Sequence, residues 1–547
     1  MGNSETITSS HNYSEFTVST PGKYTYYRIY VVESNNNTTG TIIGELAYYG
    51  YDINPVYYAF DGDASNTSYI APTGTFVNNN LDETAIDNSL QILASDVAQG
   101  YYFGKSVAID GNYALVGAFG KDNGTGSAYL YKFRESGTAG QPDATFTIDN
   151  SCQILASDGN TSDWFGYSVA INGNYALVGA YKNHVVNPEL GPDLWDAGSV
   201  YLYKFSENND VLSIDNSLQI IASDPAQDDY FGYSVAIYGN YALVGAYYND
   251  IGGVSDVGSA YLYKFSESGT AGQPDATFTI DNSLQILASD GVTGDWFGYS
   301  VAIDGNYALV GANKKDGDDQ GNQNSAGSAY LYKFSESGNA TFTIDNSYRI
   351  LASDAAQGDW FGKSVAIDGN YALVGDRNNN DAGSVYLYKF SESGNATFTI
   401  DNSCRILASD EHTSDYFGIS VAIYGNYALV GAHLNDEGYN STGSAYLYKF
   451  SEDNTNASFI IDNSYRFLAP DAEEYDWFGW SVAIYGSYAL VGAYGTDGDD
   501  QGTQTSAGSA YLYKFGKEYA IKFEFPEKKT VTKYDVLLTD PSNLSIR

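Results

Sequence analysis

The feature that most constrains this chain is a seven-fold internal repeat. The pattern Phe-Gly-x-Ser-Val-Ala-Ile, which begins at 103–109 with Lys as its variable residue, returns six more times, with Phe-Gly pairs 56 to 66 residues apart up to Phe478. Each copy continues through a short turn into Tyr-Ala-Leu-Val-Gly, a variable loop, Tyr-Leu-Tyr-Lys-Phe, a second linker and Ile-Asp-Asn-Ser. Four short strands therefore recur in every unit, and such units bury little apolar surface until they stack on one another.

Local patterns place the strands within the unit. Asp110-Gly111 predicts a two-residue hairpin after the first strand, because glycine adopts positive φ without strain. Ser-Val-Ala-Ile and Tyr-Ala-Leu-Val-Gly-Ala are apolar on both faces, as expected of inner strands near a crowded axis. The segment 129–133 (Tyr-Leu-Tyr-Lys-Phe) alternates more, which predicts a strand nearer the rim.

The phase of the repeat predicts a closed ring. Ile92-Leu93-Ala94 precedes the first Phe-Gly copy, whereas the last copy stops at Phe515. The first fragment is therefore the fourth strand that the last blade lacks, so the two ends share one blade. A solenoid would need atypical capping repeats, and neither end copy is atypical. We predict an all-β fold with a seven-bladed β-propeller over residues 86–515.

These repeats resemble a known family. Asp-Trp-Phe-Gly-Tyr-Ser-Val-Ala-Ile followed by Tyr-Ala-Leu-Val-Gly-Ala resembles the FG-GAP repeat, the unit of integrin-α-type propellers, in all seven copies. The resemblance implies a propeller used for adhesion or ligand recognition, often with calcium in the blade loops. The chain departs from the integrin form because its repeats lack the regular Asp-x-Asp-x-Asp-Gly calcium loop.

The flanks carry a second resemblance, to discoidin-like (coagulation factor 5/8 type C, galactose-binding-like) β-sandwiches. The segments 27–33 and 43–50 resemble the end of such a domain, 58–63 the start of another, and 521–536 its next strands. The resemblance implies that 1–50 is the C-terminal part of a sandwich. It also implies that 51–85 and 516–547 are the split start of a sandwich into which the propeller is inserted. Insertion requires that the ends of the guest domain lie close together.

The chain ends at Arg547, where such a sandwich continues. Three explanations are open. The sequence is a fragment of a tandem array, or residues 1–50 complete the sandwich within the chain as a circular permutation. In the third, they complete a neighbouring molecule's sandwich, and head-to-tail self-association builds a fibre.

Charge and hydropathy exclude several partners. With 67 acidic and 26 basic residues the formal net charge is −41, which repels a phosphate backbone and excludes nucleic acid. No run approaches the roughly 20 apolar residues of a membrane helix, so we expect no membrane insertion. No signal peptide is visible. The resemblances imply an extracellular location or one at a cell or virion surface.

The two cysteines, Cys152 and Cys404, occupy the same slot of different repeats. Equivalent slots point away from each other around a ring, so we predict no disulfide between them. Two thiols in slots that are otherwise filled by Leu or Tyr are most simply packing residues.

The loops of the repeat suggest a ligand-binding face. The loops from strand 4 to the next strand 1 (4→1 loops) and from strand 2 to strand 3 (2→3 loops) emerge on one side, opposite the chain ends. Most 4→1 loops carry an aspartate pair such as Asp158 and Asp163. A cation or ligand platform is the functional interpretation. Capping of backbone N–H groups is the structural one, and recurrence in nearly every blade favours it.

Some acidic segments do not recur in every blade. Two 2→3 loops contain Asp-Gly-Asp-Asp, and an early Asp-Gly-Asp resembles a discoidin-like loop in which calcium sometimes binds. A binding site usually occupies one or two blades, whereas architecture occupies all of them. The candidate Ca²⁺ ligands are Asp316, Asp318, Asp319, Asp497, Asp499, Asp500, Asp61 and Asp63.

Enzyme signatures are sparse. The four histidines share no motif with cysteines or carboxylates, which argues against a zinc site or a catalytic triad. A lysine at position 132 recurs in all seven copies, which favours pairing with the acidic surface over catalysis.

We therefore expect a non-catalytic surface recognition or adhesion protein that binds carbohydrate or protein ligands through the acidic propeller face. One alternative is a structural component of a virion surface, appendage or filament, assembled through the split sandwich. Another is a carbohydrate-active enzyme that uses the propeller as a scaffold.

Overall fold

A computed structural model gives the fold of the repeat region and of one short ladder from the flanks. It describes residues 27–30, 86–136, 145–186, 193–209, 211–269, 277–316, 324–337, 341–379, 382–392, 397–410, 414–436, 441–453, 458–497, 505–516 and 535–538. By its contacts the chain divides into two units, one of 1–81, 138–142 and 517–547 and one of 82–137 and 143–516.

The described residues form thirty strands and one helical turn, α1 (Lys121–Gly124). The strands are β1 (Tyr27–Tyr30), β2 (Ile86–Ile92), β3 (Phe103–Asp110), β4 (Tyr113–Ala118), β5 (Ser127–Ser136), β6 (Thr145–Ile154), β7 (Ser168–Asn172), β8 (Tyr175–Ala180), β9 (Ser199–Asn208), β10 (Val211–Ile220), β11 (Ser234–Tyr238), β12 (Tyr241–Ala246), β13 (Ser259–Ser268), β14 (Thr277–Ile286), β15 (Phe297–Asp304), β16 (Tyr307–Ala312), β17 (Ser328–Glu336), β18 (Phe342–Ile350), β19 (Phe361–Asp368), β20 (Tyr371–Asp376), β21 (Ser384–Glu392), β22 (Phe398–Ile406), β23 (Ser420–Tyr424), β24 (Tyr427–Ala432), β25 (Ser444–Asp453), β26 (Ser458–Phe467), β27 (Ser481–Tyr485), β28 (Tyr488–Ala493), β29 (Ser509–Phe515) and β30 (Asp535–Leu538).

Seven antiparallel four-stranded sheets confirm the seven-bladed propeller. Six blades run in chain order from the inner to the outer strand, beginning with β3-β4-β5-β6. The seventh blade has the order β2-β29-β28-β27, so its outer strand comes from the start of the repeat region. Ile86 pairs with Phe515 and Ile92 with Ala510. This shared blade confirms the closure predicted from the phase, and its two chain ends lie side by side.

One hydrogen bond repeats at every junction between blades and shows that the ring is closed. A serine hydroxyl on each innermost strand donates to the carbonyl of the Phe-Gly glycine in the next blade, at 2.8–2.9 Å. The last bond runs from Ser481 to Gly104 and returns from the seventh blade to the first. The seven donors are Ser106, Ser168, Ser234, Ser300, Ser364, Ser420 and Ser481.

The apolar core lies between neighbouring blades, in seven clusters. Phe103 packs edge-on against Tyr129 and Tyr131 of the third strand in its own blade, while Leu130 belongs to the cluster shared with the next blade. The third strand is therefore buried on both faces. The prediction that it alternates like a rim strand was wrong, since the outermost strand shows that alternation (β6, for example).

The hairpin between the first two strands is shifted by one residue from its predicted position. Asp110 is the last residue of β3 and pairs with Tyr113, so the turn residues are Gly111 and Asn112. Gly111 has φ +59° and Asn112 does not have positive φ, the pattern of a turn with glycine at its first central position. The shift frees the Asp110 carboxylate to accept the N–H of Gly173 in the next blade.

In the flanks, β1 pairs with β30 in an antiparallel two-stranded ladder, with Tyr27 opposite Leu538. The segments before and after the propeller thus pair within one chain. The remaining residues of 1–85 and 517–547 lie outside the described residues, so the discoidin-like sandwich stays a prediction. Cys152 and Cys404 are free thiols, as predicted.

Candidate functional site at the axial mouth

The aspartates of the 4→1 loops hold the blades together. In the third blade, Asp224 accepts hydrogen bonds from the Tyr261 hydroxyl at 2.7 Å and from Gln285 at 3.0 Å. Asp229 accepts the backbone N–H of Ala226 at 2.7 Å and the Asn249 amide at 3.1 Å. Equivalent pairs make equivalent bonds at Asp158 and Asp163, Asp290 and Asp295, Asp354 and Asp359, Asp410 and Asp415, and Asp471 and Asp476.

The second aspartate of each pair is almost fully buried. Asp229 is 2% exposed, and burial raises the pKa of its carboxyl to about 6. Burial also raises the pKa of Asp476 to about 7, where the buried neighbour is Thr496 and no side-chain amide donates to the carboxylate. These aspartates thus serve the structural role that their recurrence favoured, and they are not available as an acidic recognition surface.

The candidate calcium ligands are only partly within the described residues. Asp316 accepts the N–H of Ser325 at 3.2 Å and Asp497 that of Ser506 at 3.3 Å, so each closes the base of its 2→3 loop. Across the described ranges, no group of three or more His, Cys, Asp or Glu side chains is placed to hold a metal ion. The other candidates, Asp318, Asp319, Asp499, Asp500, Asp61 and Asp63, lie outside the described residues.

The recurring lysines form ion pairs between the third strands of neighbouring blades. Lys132 lies 2.6 Å from Glu207 of the next blade, and Lys514 lies 2.6 Å from Glu135, which carries the pattern across the closure. Similar pairs link Lys204 with Glu267, Lys264 with Glu336, Lys333 with Glu392 and Lys389 with Glu452. The structural interpretation of these lysines is confirmed.

A different set of side chains surrounds the central axis where the 4→1 and 2→3 loops emerge, at what we call the axial mouth. Its outer layer is the residue before each Phe-Gly, which we call the hook aromatic. Every hook aromatic is half-buried and has φ between +54° and +68°, a conformation that bulky residues rarely adopt. The seven are Tyr102, Trp164, Tyr230, Trp296, Trp360, Tyr416 and Trp477.

Beneath this layer, the residue after each Phe-Gly lies on an innermost strand or directly before it, and these seven residues form what we call the axial ring. Three consecutive tyrosines line one arc, and their hydroxyls form a chain with Tyr167 to Tyr233 at 3.4 Å and Tyr233 to Tyr299 at 2.8 Å. Lys363 donates to the Tyr299 hydroxyl at the end of this chain. The ring consists of Lys105, Tyr167, Tyr233, Tyr299, Lys363, Ile419 and Trp480.

The residue that follows strand 2 completes the mouth and is called the rim position. It is aromatic in four blades, but the other three carry polar groups. Asn313 is fully buried with neither amide atom hydrogen-bonded, and buried His433 has no partner at Nδ1. The rim positions are Phe119, Tyr181, Tyr247, Asn313, Arg377, His433 and Tyr494.

Five cations gather at the mouth and lie against aromatic rings. The Lys314 ammonium lies 3.5 Å from the centroid of the Trp360 ring, and the Arg377 guanidinium lies 4.2 Å from the same centroid. Lys105 lies 3.8 Å from the centroid of Trp480. Within the described residues, none of the five makes an ion pair with a carboxylate, although Lys182 acts on Asp196 at longer range. The five axial cations are Lys105, Lys182, Lys314, Lys363 and Arg377.

The electrostatics of the two ring lysines reflect this lack of counter-ions. Burial lowers the pKa of Lys105 to about 7. Burial, followed by repulsion from Arg377, Lys105 and Lys314, lowers the pKa of Lys363 well below its ordinary value. Burial, followed by repulsion from Arg377, Lys105 and Lys363, lowers the pKa of His433, which stays neutral. The mouth thus gathers basic groups that have no carboxylate partner among the described residues, in a chain whose net charge is −41.

A second concavity lies on the opposite face, between the first and second blades. Its volume is about 460 Å³, and its lining includes Asp110, Tyr113, Glu207 and Tyr485. Its carboxylates are already engaged, Asp110 with the Gly173 N–H and Glu207 with Lys132. The axial mouth is therefore the better candidate, because its polar groups lack partners.

Sequence reasoning missed the axial cations, although a signal was present. Lys105 and Lys363 stand in a slot that is Tyr in three copies and Ile or Trp in the others, and Arg377 stands in a mostly aromatic slot. Departures from a regular repeat mark residues that the shared fold does not require. Such departures singled out the acidic 2→3 loops in the sequence, and they would equally have singled out these basic residues.

The fold and the mouth define a class of protein, a seven-bladed propeller with an axial site that differs from blade to blade. The model of the FG-GAP repeat matches residues 89–131, 150–203, 217–263, 283–332, 346–388, 402–448 and 463–513. The chain therefore belongs to the FG-GAP repeat family.

Other comparisons are more distant. No curated protein matches the chain. Among solved structures, the crystal structure of Saccharomyces cerevisiae Sqt1 is similar at 8% sequence identity, over 85% of this chain and 94% of that chain, with a TM-score of 0.36. In the described part of the chain, no helix has the length and apolar character needed to cross a membrane.

Proposed function

We propose that the protein is a non-catalytic recognition protein that binds an anionic carbohydrate at the axial mouth. The observation that carries the proposal is the set of five axial cations that lie against aromatic rings without carboxylate partners among the described residues. The binding surface is on the face expected from the loops. We propose cationic and aromatic contacts at the mouth in place of the acidic contacts expected there, because the second aspartate of each described pair is buried within the fold.

Carbohydrate fits this mouth because two kinds of contact alternate around it. Half-buried Trp and Tyr rings stack on the apolar faces of sugars, and Lys and Arg pair with carboxylate or sulfate groups. Lys182 lies over the Trp164 ring, and Lys314 and Arg377 lie over the Trp360 ring, so each charge is held at a ring that a sugar would approach. Uronate-containing, sialylated or sulfated glycans combine the two features.

Glycan-array binding of the whole chain tests the proposal. We expect wild type to bind acidic glycans in preference to their neutral counterparts. Arg377→Met removes a charged contact worth about 1.5–3 kcal/mol, which corresponds to roughly a 10-fold to 100-fold weaker Kd. Arg134→Met is the matched control, since this side chain is 66% exposed and lies on the outer part of the first blade.

Three outcomes would contradict the proposal. Binding confined to neutral glycans would show that the axial cations play no part in it. Equal loss of binding in Arg377→Met and Arg134→Met would show an effect of net charge rather than of the mouth. Binding to an acidic protein in place of any glycan would assign the mouth to a protein ligand.

The proposal includes a place for the flanks and for the protein. The β1–β30 ladder supports completion of a discoidin-like sandwich within the chain, because strands from both flanks pair there. With this arrangement, we propose that the protein acts in adhesion at a cell or virion surface. Light scattering after size exclusion tests the assembly, since growth in mass with concentration would favour the head-to-tail filament instead.

A further inference from the structure

We propose that the axial ring is an anion site in which Lys105 and Lys363 take up protons as the anion binds. This proposal rests on the proposed function in one respect, because the anionic group of the glycan would be the natural ligand of the axial ring. The site itself is defined by the ring and should accept a small anion alone.

The geometry places the two amines on opposite sides of the axis. Lys105 belongs to the first blade and Lys363 to the fifth, so three blade steps separate them in one direction and four in the other. The two amines repel each other when charged, since Lys105 is among the groups that lower the pKa of Lys363. An anion on the axis would lie between them.

The groups that face the amines are neutral or cationic. Lys105 faces the rings of Tyr167, Trp480 and Tyr494. Lys363 faces Tyr299 and is close enough to Arg377 and Lys314 for both to repel its charge. Burial raises the pKa values of Tyr167, Tyr233 and Tyr299, so these hydroxyls remain hydrogen-bond donors at neutral pH.

Unsatisfied polar groups supply an independent observation. The Asn313 amide is fully buried with no hydrogen bond, and it occupies the same repeat slot as Arg377. The neighbouring rim residue His433 is 4% exposed with no partner at Nδ1, and its ring contacts Trp480 of the axial ring at 4.5 Å. Buried polar groups without partners in a native fold mark places where a ligand or solvent completes the bonding.

The carboxylates toward the opposite end of the innermost strands do not compete with an anion for the two amines. The nearest recurring carboxylates on the innermost strands are Asp110, Asp304 and Asp368, five residues further along each strand. Five residues of strand span about 16 Å, which is about two Debye lengths at physiological ionic strength. These carboxylates lie toward the opposite end of the innermost strands and form no ion pair with either amine.

Proton uptake follows from linkage. A bound anion favours the charged amine and raises its pKa. With a pKa of about 7 in the free protein, Lys105 is roughly one-tenth protonated at pH 8, so binding would take up about 0.9 proton there. Lys363 adds to this uptake, since its pKa also lies below the ordinary value. At pH 6 Lys105 is mostly charged already, and its share of the uptake falls to about 0.1 proton.

Calorimetric titration of the whole chain with sodium sulfate, and separately with glucuronate, tests the inference. Titrations at pH 8 in two buffers of different ionisation enthalpy give the number of protons taken up. We expect saturable binding with about one or more protons taken up, and less uptake at pH 6. Lys105→Met should weaken binding at least 10-fold. Lys105→Arg keeps the charge, and should bind sulfate with about 0.9 fewer protons taken up.

The outcomes separate this inference from the proposed function. Saturable binding without proton uptake, or unchanged uptake in Lys105→Arg, would overturn the amine site. So would the absence of saturable sulfate and glucuronate binding, even if acidic glycans bind at the outer mouth. Sulfate binding with proton uptake but no acidic glycan bound would support the amine site and refute the proposed function. If Lys105→Met fails to fold, the Lys105→Arg result decides.

Discussion

The close approach between blades can be tested at a single glycine. Gly298 has φ +89°, and a Cβ built on it would lie 2.1 Å from the carbonyl oxygen of Ser259 in the preceding blade. Gly305, seven residues later, has φ +57°, but a Cβ there would have no heavy atom within 4 Å. Alanine at either position pays the conformational penalty of positive φ. Only at Gly298 would its methyl group also clash with the backbone of the neighbouring blade.

The magnitude follows from these two contributions. Positive φ costs alanine about 1–2 kcal/mol, which is the whole expected loss for Gly305→Ala. Overpacking adds about 1–3 kcal/mol or more, and the obstacle at Gly298 is backbone that cannot rotate away. We therefore expect Gly298→Ala to cost about 3–5 kcal/mol. For roughly 430 residues the entropy of unfolding is about 0.9 kcal/mol/K, so Tm should fall by about 3–5 °C, against about 1–2 °C for Gly305→Ala.

Differential scanning calorimetry of both variants checks this, with urea unfolding as a second measure where heating is irreversible. The Ser234 hydroxyl donates to the Gly298 carbonyl, so the variant also shifts one of the seven hydrogen-bonded junctions between blades. Equal losses of Tm in the two variants would refute the argument, because the conformational penalty alone would then account for both.

Three further predictions concern stability. Asp376 is fully buried, and burial raises the pKa of its carboxyl well above the ordinary value. An acid whose pKa is higher in the folded state than in the unfolded state destabilises the fold more as pH rises above its unfolded-state pKa. Asp376→Ala should therefore raise Tm more at pH 8 than at pH 4. An equal gain in Tm at the two pH values would contradict this prediction. Ile92 is 2% exposed in the core of the shared blade, so Ile92→Ala should cost about 2–5 kcal/mol in urea unfolding, and a loss under about 1 kcal/mol would mean that β2 is dispensable. If the acidic loops hold calcium, EDTA should lower Tm and added calcium should restore it, whereas no shift would rule out a tight structural site.

The ring could be predicted from the sequence because its evidence is long-range and redundant. Seven copies establish the blades, and the offset between Ile92 and Phe515 establishes the closure, as the pairing of β2 with β29 confirms. The hairpin position failed by one residue. The Asp110 carboxylate accepts the N–H of Gly173 in the next blade, and this contact determines the position of the turn. A contact between blades cannot be seen in the pattern of a single repeat.

The third strand shows a second limit of sequence reasoning. Alternation of Tyr with Leu and Lys predicted a half-exposed strand, yet Tyr129 and Tyr131 are both buried. Each hydroxyl finds a partner, Tyr129 at the Asp96 carboxylate and Tyr131 at the Leu93 carbonyl 3.0 Å away. A tyrosine with a satisfied hydroxyl packs as an apolar residue, and whether a partner exists depends on the loop of the neighbouring strand.

The contrast between repeated and unique residues is the main guide to the site. Lysine at position 132 recurs in every copy, and the described pairs join it to a glutamate of the next blade. Lysine at position 105 recurs only once, at 363, and these two amines have no carboxylate partner among the described residues. The same residue type is thus structural where the repeat retains it and chemically available where the repeat departs from it.

Blade five departs from the repeat at two adjacent residues, and their charges do not cancel. Asp376 replaces the alanine that ends strand 2 in the other six blades, and Arg377 follows at the rim. Successive side chains of a strand point to opposite faces. Asp376 accordingly interacts with Asp359, Asp354 and Arg405, whereas Arg377 lies against Trp360 and Tyr416. Because burial keeps the Asp376 carboxyl neutral at pH values where free aspartate is ionised, Arg377 retains its full charge at the mouth. Asp376→Ala should therefore leave acidic-glycan affinity unchanged while it raises Tm, and a change in affinity would mean that the two residues are coupled.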